Sequence, residues 1–438
     1  MAGISDNAQG ALRRLWQEHP AVVGAGLAAV VAAVGLVGYL LLKPPADVSD
    51  PNAAFNASEQ EDTSDVVDWP LYGFNQERSR YLPAKLVRPP FQVNWRFNAR
   101  KLVEYSPVVV DGVVYGINNN GEAFAISAKT GGVRWRRQVA GLNASAPSYF
   151  DGRLYISNLE PGQVQALDAR TGRRVWRRSL PGRTESSPVI AGGKVVVGCE
   201  CGSVFALGKD TGRVIWETDV GGAVKGAPAL ENGVVYVGAY GGTVAALRLG
   251  GGGIKWTSGS QGGGLGGSGN FYATPTVAFG RVYVGNTDGR MYSFEKDTGN
   301  LAWSHSTGDY VYAAAVAADT DDTPPTVYFG SYNGTFYALD ARSGDVRWEQ
   351  GAGGAVSGAA SLIGHTVYVA NLPKTRTIGF DVKTGKRVFA FKDGAYNPVV
   401  SDGRVLYITG RKQIYALKPT DRTHGPGVFG RSLSKKHR

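Results

Sequence analysis

The sequence predicts an all-β fold, an eight-bladed β-propeller with four-stranded blades, preceded by one N-terminal transmembrane helix. Trp95, Trp135, Trp176, Trp216, Trp256, Trp303 and Trp348 recur at intervals of 40 to 47 residues, and Phe389 follows 41 later. Such regularity marks one small unit repeated, not one irregular core. Each unit opens on a segment in which a proline or small residue enters an apolar pair, such as YSPVV at 105, SSPVI at 186 or GAPAL at 226. A β-branched run such as KVVVG or VVYVG follows, then strand, tight turn and strand ending on the aromatic, as in VQALDARTGRRVW. Four strands in about forty residues make a propeller blade.

Counting sets the number of blades. The opening motif occurs eight times, but the remaining text of the blade follows it completely only seven times. The last blade ends at QIYALKP (413–419), whereas QVNWRF around Trp95 has the fourth-strand signature with no blade before it. QVNWRF is therefore expected to complete the last blade, which removes the exposed sheet edges.

Residues 1–18 are expected to form a short cytoplasmic segment. From Ala21 to Leu42 the chain carries 22 residues without a charge, which as a helix would span roughly 33 Å, about one hydrocarbon core. A transmembrane helix over 19–43 is expected. The apolar region of a cleaved signal would be shorter, about 7 to 15 residues. A lipid anchor would need a cysteine just after the apolar stretch, and the only cysteines are Cys199 and Cys201. Arg13 and Arg14 ahead of the helix favour an inside N-terminus. The expected location is thus the cell membrane, single-pass, with the propeller outside the cytoplasm. Residues 44–68 hold seven acidic groups and no Lys or Arg, the composition of a disordered tether. The propeller is expected over 69–420 and a basic flexible tail over 421–438.

Within the blades, each tryptophan can pack between neighbours while its indole N–H finds a carbonyl. With Phe389, the seven tryptophans are read as structural docking residues. Gly131, Gly172, Gly212, Gly299, Gly344 and Gly385 occupy the tight turn, where positive φ favours glycine. Asp168, Asp340 and Asp381 stand three positions before Thr171, Ser343 and Thr384 and are expected to bond into it. AISAKTGGVRW in blade 1 and ALRLGGGGIKW in blade 4 depart from the Asp and Thr positions, and altered turns are expected there.

The A-x-D-x-x-T-G-x-x-x-W pattern resembles the tryptophan-docking motif of pyrroloquinoline-quinone (PQQ)-like propellers. The eight compact blades are similar to the BamB-like members of that family, over residues 69 to 419. WPLYGFNQERSRYLP near the start is similar to the W-x-x-x-G opening of many such domains. The resemblance implies the fold, but the family mixes dehydrogenases, assembly scaffolds and sensor ectodomains.

The chemistry of the chain favours the second class. There is no adjacent cysteine pair, no C-x-x-C-H, no G-x-S-x-G and no H-E-x-x-H. Asp319, Asp321 and Asp322 lack a downstream Glu that would complete a calcium loop. No catalytic residue, cofactor or metal is expected. The leading reading is a non-catalytic, monomeric scaffold for other envelope or membrane proteins, in envelope protein assembly or export. A ligand-binding or sensor ectodomain and a PQQ-dependent dehydrogenase are the alternatives. From residue 69 onward the net charge is +17, which favours anionic lipid, wall polymer or an acidic protein face over nucleic acid. Cys199 and Cys201 lie one residue apart in VVVGCECGSVFAL. A disulfide or redox pair and two inert thiols both remain open.

Overall fold

The computed structural model describes residues 20–57, 67–262, 267–373, 376–394 and 399–420. The expected cytoplasmic segment and the basic tail lie outside these residues. Eight sheets follow one another along the chain. Blades 1 to 7 comprise 108–138, 148–179, 189–219, 229–259, 276–306, 316–351 and 361–391, and blade 8 joins 400–419 to Phe91–Asn98. In blade 3, Lys194–Gly198 and Ser203–Gly208 are buried almost throughout, whereas outer strand Val214–Asp219 fully buries only Trp216. A register shift between Ala206 and Leu207 bends that outer strand, and every other blade has a shift at the corresponding place.

The ring closes as the count requires. Phe91–Asn98 runs antiparallel to Gln413–Pro419, with Trp95 opposite Ala416 and Asn98 opposite Gln413. Two distant stretches of chain thus share one blade. Gln413–Pro419 is thereby paired on both sides, and Phe91–Asn98 takes the outer-edge place that the fourth strand has in the other blades.

The blades meet through the tryptophans. The indole Nε1–H of Trp95, Trp135, Trp176, Trp216, Trp256, Trp303 and Trp348 donates to the carbonyl of Ala128, Ala169, Lys209, Leu249, Lys296, Ala341 and Val382, at 2.8–3.0 Å. Each acceptor belongs to the third-to-fourth-strand turn of the next blade. The turn glycine has a double reason to be glycine: Gly212 has φ +67°, and a Cβ there would meet the Trp176 ring at 2.5 Å. Asp168 Oδ1 accepts from the Thr171 amide at 2.7 Å and from its hydroxyl at 2.6 Å. The Thr171 hydroxyl, chiefly, holds that carboxyl below the usual aspartate range. In blade 5, Glu295 substitutes for Asp and accepts from the Thr298 hydroxyl at 2.6 Å.

Blades 1 and 4 correct one expectation, because their turns are not altered. Gly131 and Gly252 have φ of +71° and +76°, and their amides donate to Ser127 O and Arg248 O at 2.8 Å as in the other blades. Positive φ and the docked indole of the preceding blade set the turn. The carboxylate only caps it.

A second segment unites the blades from inside. Hydrogen bonds link Val67 to Asp402 of blade 8, Trp69 to Val109, Pro70 to Tyr149, Gln76 to Ile190 and Leu230, Glu77 to Val277, Ser79 to Ala317, and Arg80 to Leu362. In blades 1 to 7 the contacted residue is the second of the innermost strand. The segment 67–82 therefore circles the axis once and touches every blade. Left-handed φ values at Phe74, Arg78 and Arg80 (+79°, +61°, +59°) allow so tight a curl.

Two N-terminal expectations are corrected. Part of the stretch read as a tether packs on blade 5: Val48–Ser49 adds a fifth strand beside Trp303 and Ser304. Arg290 Nη1 meets Asp47 Oδ1 at 2.5 Å, and Arg281 donates to the carbonyls of Ala53 and Ala54. The exposed outer edge of blade 5 and two buried guanidiniums supply partners that composition alone does not reveal. The second correction concerns the membrane. A helix, α1, runs Pro20–Leu42, yet among the described residues no helix is long and apolar enough to cross a membrane. The expected single-pass location, and attachment to the membrane by this helix, do not stand.

Candidate functional site: an axial cavity ringed by tyrosines

The repeat carries one equivalent position in each of blades 1 to 7 at the inner end of the blade. Three residues before the proline of the opening motif, or before the alanine that replaces it, stand Glu104, Ala144, Glu185, Lys225, Tyr272, Tyr312 and Ser357. All but Ala144 line one cavity of about 380 Å³. The loop joining the second and third strands adds Tyr240, Tyr332 and Leu372, and the inner segment adds Tyr72. The strands around these positions keep their pattern while the positions themselves carry acids, a base or aromatics.

Two halves of the wall differ. From blade 4 to blade 6 it is tyrosine: Tyr272 meets Tyr312 edge-on at 5.3 Å, Tyr312 meets Tyr332 at 5.0 Å, and Tyr310 packs on both. Tyr310 is 47 % exposed. Opposite stand the acids. Glu185 accepts from Lys225 Nζ at 2.8 Å and from the Tyr272 hydroxyl at 3.0 Å, and Lys225 also reaches Glu200 at 3.3 Å. Burial works against the Lys225 ammonium, but the hydrogen bond and charge of Glu185 raise its pKa. Glu104 has no hydrogen-bond or ion-pair partner among the described residues. Burial, then the charge of Glu185, pushes its carboxyl above the usual range.

Beneath Tyr72 lie two fully buried arginines. Arg78 donates to the carbonyls of Tyr72, Pro188 and Pro228. Arg80 stacks its guanidinium 4.3 Å from the centre of the Tyr72 ring. Burial lowers the pKa of both. Neither lines the cavity.

Cys199 and Cys201 are joined in a disulfide, in the loop that carries Glu200. The bridge holds Glu200 in the turn from which it reaches Lys225. The tryptophans, by contrast, lie at the seams between blades, and none of them lines the cavity. The sequence motifs therefore mark the scaffold. The cavity residues went unread because they are where the repeat varies, and aligning the blades on their prolines would have exposed them.

The PQQ cofactor suggested by the fold does not match this wall. The quinone carries three carboxylates and calls for cations, whereas the lining offers Glu104, Glu185 and a single lysine already committed to two glutamates. Among the described residues, no group of three or more His, Cys, Asp or Glu could hold a metal ion.

The family described as outer membrane protein assembly factor BamB matches residues 92–218 and 160–391. No curated protein matches the chain. Among solved structures, BamB from Moraxella catarrhalis is 19% identical with a TM-score of 0.63, over 75% of this chain and 100% of that one. The quinohemoprotein alcohol dehydrogenase ADHIIG from Pseudomonas putida HK5 is 14% identical with a TM-score of 0.70, over 82% of each chain. The computationally designed Ika8 protein is 17% identical with a TM-score of 0.61, over 74% of this chain and 98% of that one. At these identities the structures share the fold alone.

Proposed function

The chain belongs to the family described as outer membrane protein assembly factor BamB, and from that premise we propose that it is a non-catalytic protein-interaction scaffold in envelope protein assembly. The observation that carries this reading is the tyrosine belt of Tyr240, Tyr272, Tyr310, Tyr312 and Tyr332. Tyrosine supplies large, rigid contact area with a polar tip and is enriched where protein partners bind. A belt of five on one loop face is a recognition surface rather than a reaction centre.

The partners are other envelope proteins, met on the face that carries the belt. A photo-crosslinking side chain at position 310 should capture a partner in intact cells. The same group at Asp151, on the first hairpin of blade 2, should not. Equal capture from both positions, or none from 310, would overturn the reading. Stoichiometric uptake of PQQ by the purified chain would favour a dehydrogenase instead.

A further inference from the structure

We propose that the axial cavity is a binding site for an organic cation, an ammonium or guanidinium group held between tyrosine rings and the carboxylate of Glu104. This uses the same mouth as the scaffold reading but does not require a protein partner. Glu104 and Glu185 are the acids of the wall and Lys225 its base. Lys225 is shared between Glu185 and Glu200, so among the described residues one carboxylate, Glu104, is left without a counter-charge. A carboxylate partly withdrawn from water and unpaired among the described residues favours a ligand that brings a positive charge.

The aromatic half supplies the second element. Ring faces attract cations, most strongly where water is excluded. The cavity already demonstrates the mode: Lys225 Nζ lies 5.9 Å from the Tyr240 ring centre and 6.0 Å from that of Tyr272. Tyr312 and Tyr332 face the same space without a cation on them among the described residues. A volume of about 380 Å³ accepts a small-molecule cation or the end of one Lys or Arg side chain. An anion would meet Glu104 and Glu185, and the two arginines that could attract it are fully buried.

The full chain is titrated by calorimetry with acetyl-arginine amide, tetramethylammonium and, as the anionic counterpart, acetyl-glutamate amide. Both or either cation should saturate one site, and the anion should not. Binding of tetramethylammonium at least as tight as that of the arginine derivative assigns the site to small quaternary ammonium ligands. Binding of the arginine derivative alone assigns it to a side chain presented by another protein. Glu104→Gln, which keeps shape and removes charge, should weaken cation binding about tenfold, from the loss of a charge-assisted contact. Tyr312→Leu should weaken it about two- to fivefold. Unchanged melting temperatures would show that both variants fold. Equal binding of the anion, no saturable cation binding, or Glu104→Gln indistinguishable from the parent would overturn the proposal. The probes are small molecules, so their failure leaves the crosslinking test of the scaffold untouched, and the reverse also holds.

Discussion

Seven of the eight seams between blades carry a docked tryptophan, and the seam between blades 7 and 8 carries Phe389. The difference has a cause in the topology. A docked indole needs the third-to-fourth-strand turn of the next blade, both for its carbonyl and for its glycine. In blade 8 that turn does not exist, because the third strand ends at Pro419 and the fourth begins at Phe91. Phe389 instead meets the Phe91 ring at 5.5 Å and Tyr368 at 5.6 Å. Where the ring is closed by distant parts of the chain, an apolar contact without a hydrogen bond replaces the docking motif.

The sharpest way to break this comparison is Trp95→Ala, which strips the docked indole from the very strand that closes the ring. Removing a large buried aromatic typically costs about 3–5 kcal/mol, and a urea midpoint well below the parent's is expected. Gly212→Ala attacks a docked seam from the turn side. With φ +67° and the Trp176 ring 2.5 Å from the new Cβ, a loss of about 2–3 kcal/mol is expected, read by the same denaturation curve.

The caps come next. Asp168→Asn should cost about 0.5–1 kcal/mol at neutral pH. The folded carboxyl is held low by Thr171, so its contribution is present above the unfolded value of about 3.9 and is lost as pH falls through the folded one. The gap between variant and parent midpoints should therefore narrow towards pH 3. A gap that stays constant would remove the cap from the account. A reciprocal pair of exchanges tests the two kinds of seam directly. Trp348→Phe should lose about 1 kcal/mol with the indole bond to Val382. Phe389→Trp should gain no stability, since no turn carbonyl faces it. A stabilised Phe389→Trp would show that the seams are alike after all.

Much of the propeller was legible because repetition multiplies weak signals. One D-x-x-T-G is a turn, but several in register with tryptophan specify blades, their number and the closing strand. Trp95 without a preceding blade was enough to predict that its strand pairs with the stretch 413–419. The same repetition hid the cavity. Glu104, Lys225 and Tyr312 occupy one position of the unit yet differ in chemistry, so no local motif joins them until the ring places them together. The segment 67–82 was readable only as a family-like opening. Its contacts are with carbonyls and amides of every blade, which no side-chain pattern announces. The strand at Val48–Ser49 escaped notice for the opposite reason: an acidic stretch of low apolar content meets Arg281 and Arg290, two guanidiniums that the fold buries beside it.

The inner segment and closing strand also set a timetable for synthesis. Pro90 and its partner Thr420 are 330 residues apart, which at about 5–20 residues per second separates their emergence from the ribosome by about 15–65 s. Throughout that interval Phe91–Asn98 lacks its partner Gln413–Pro419, and the curl around the axis has only some of its eight anchors. The nascent chain must keep this early stretch soluble and unattached until the last sheet is translated, so the completed ring can form only after elongation has nearly finished.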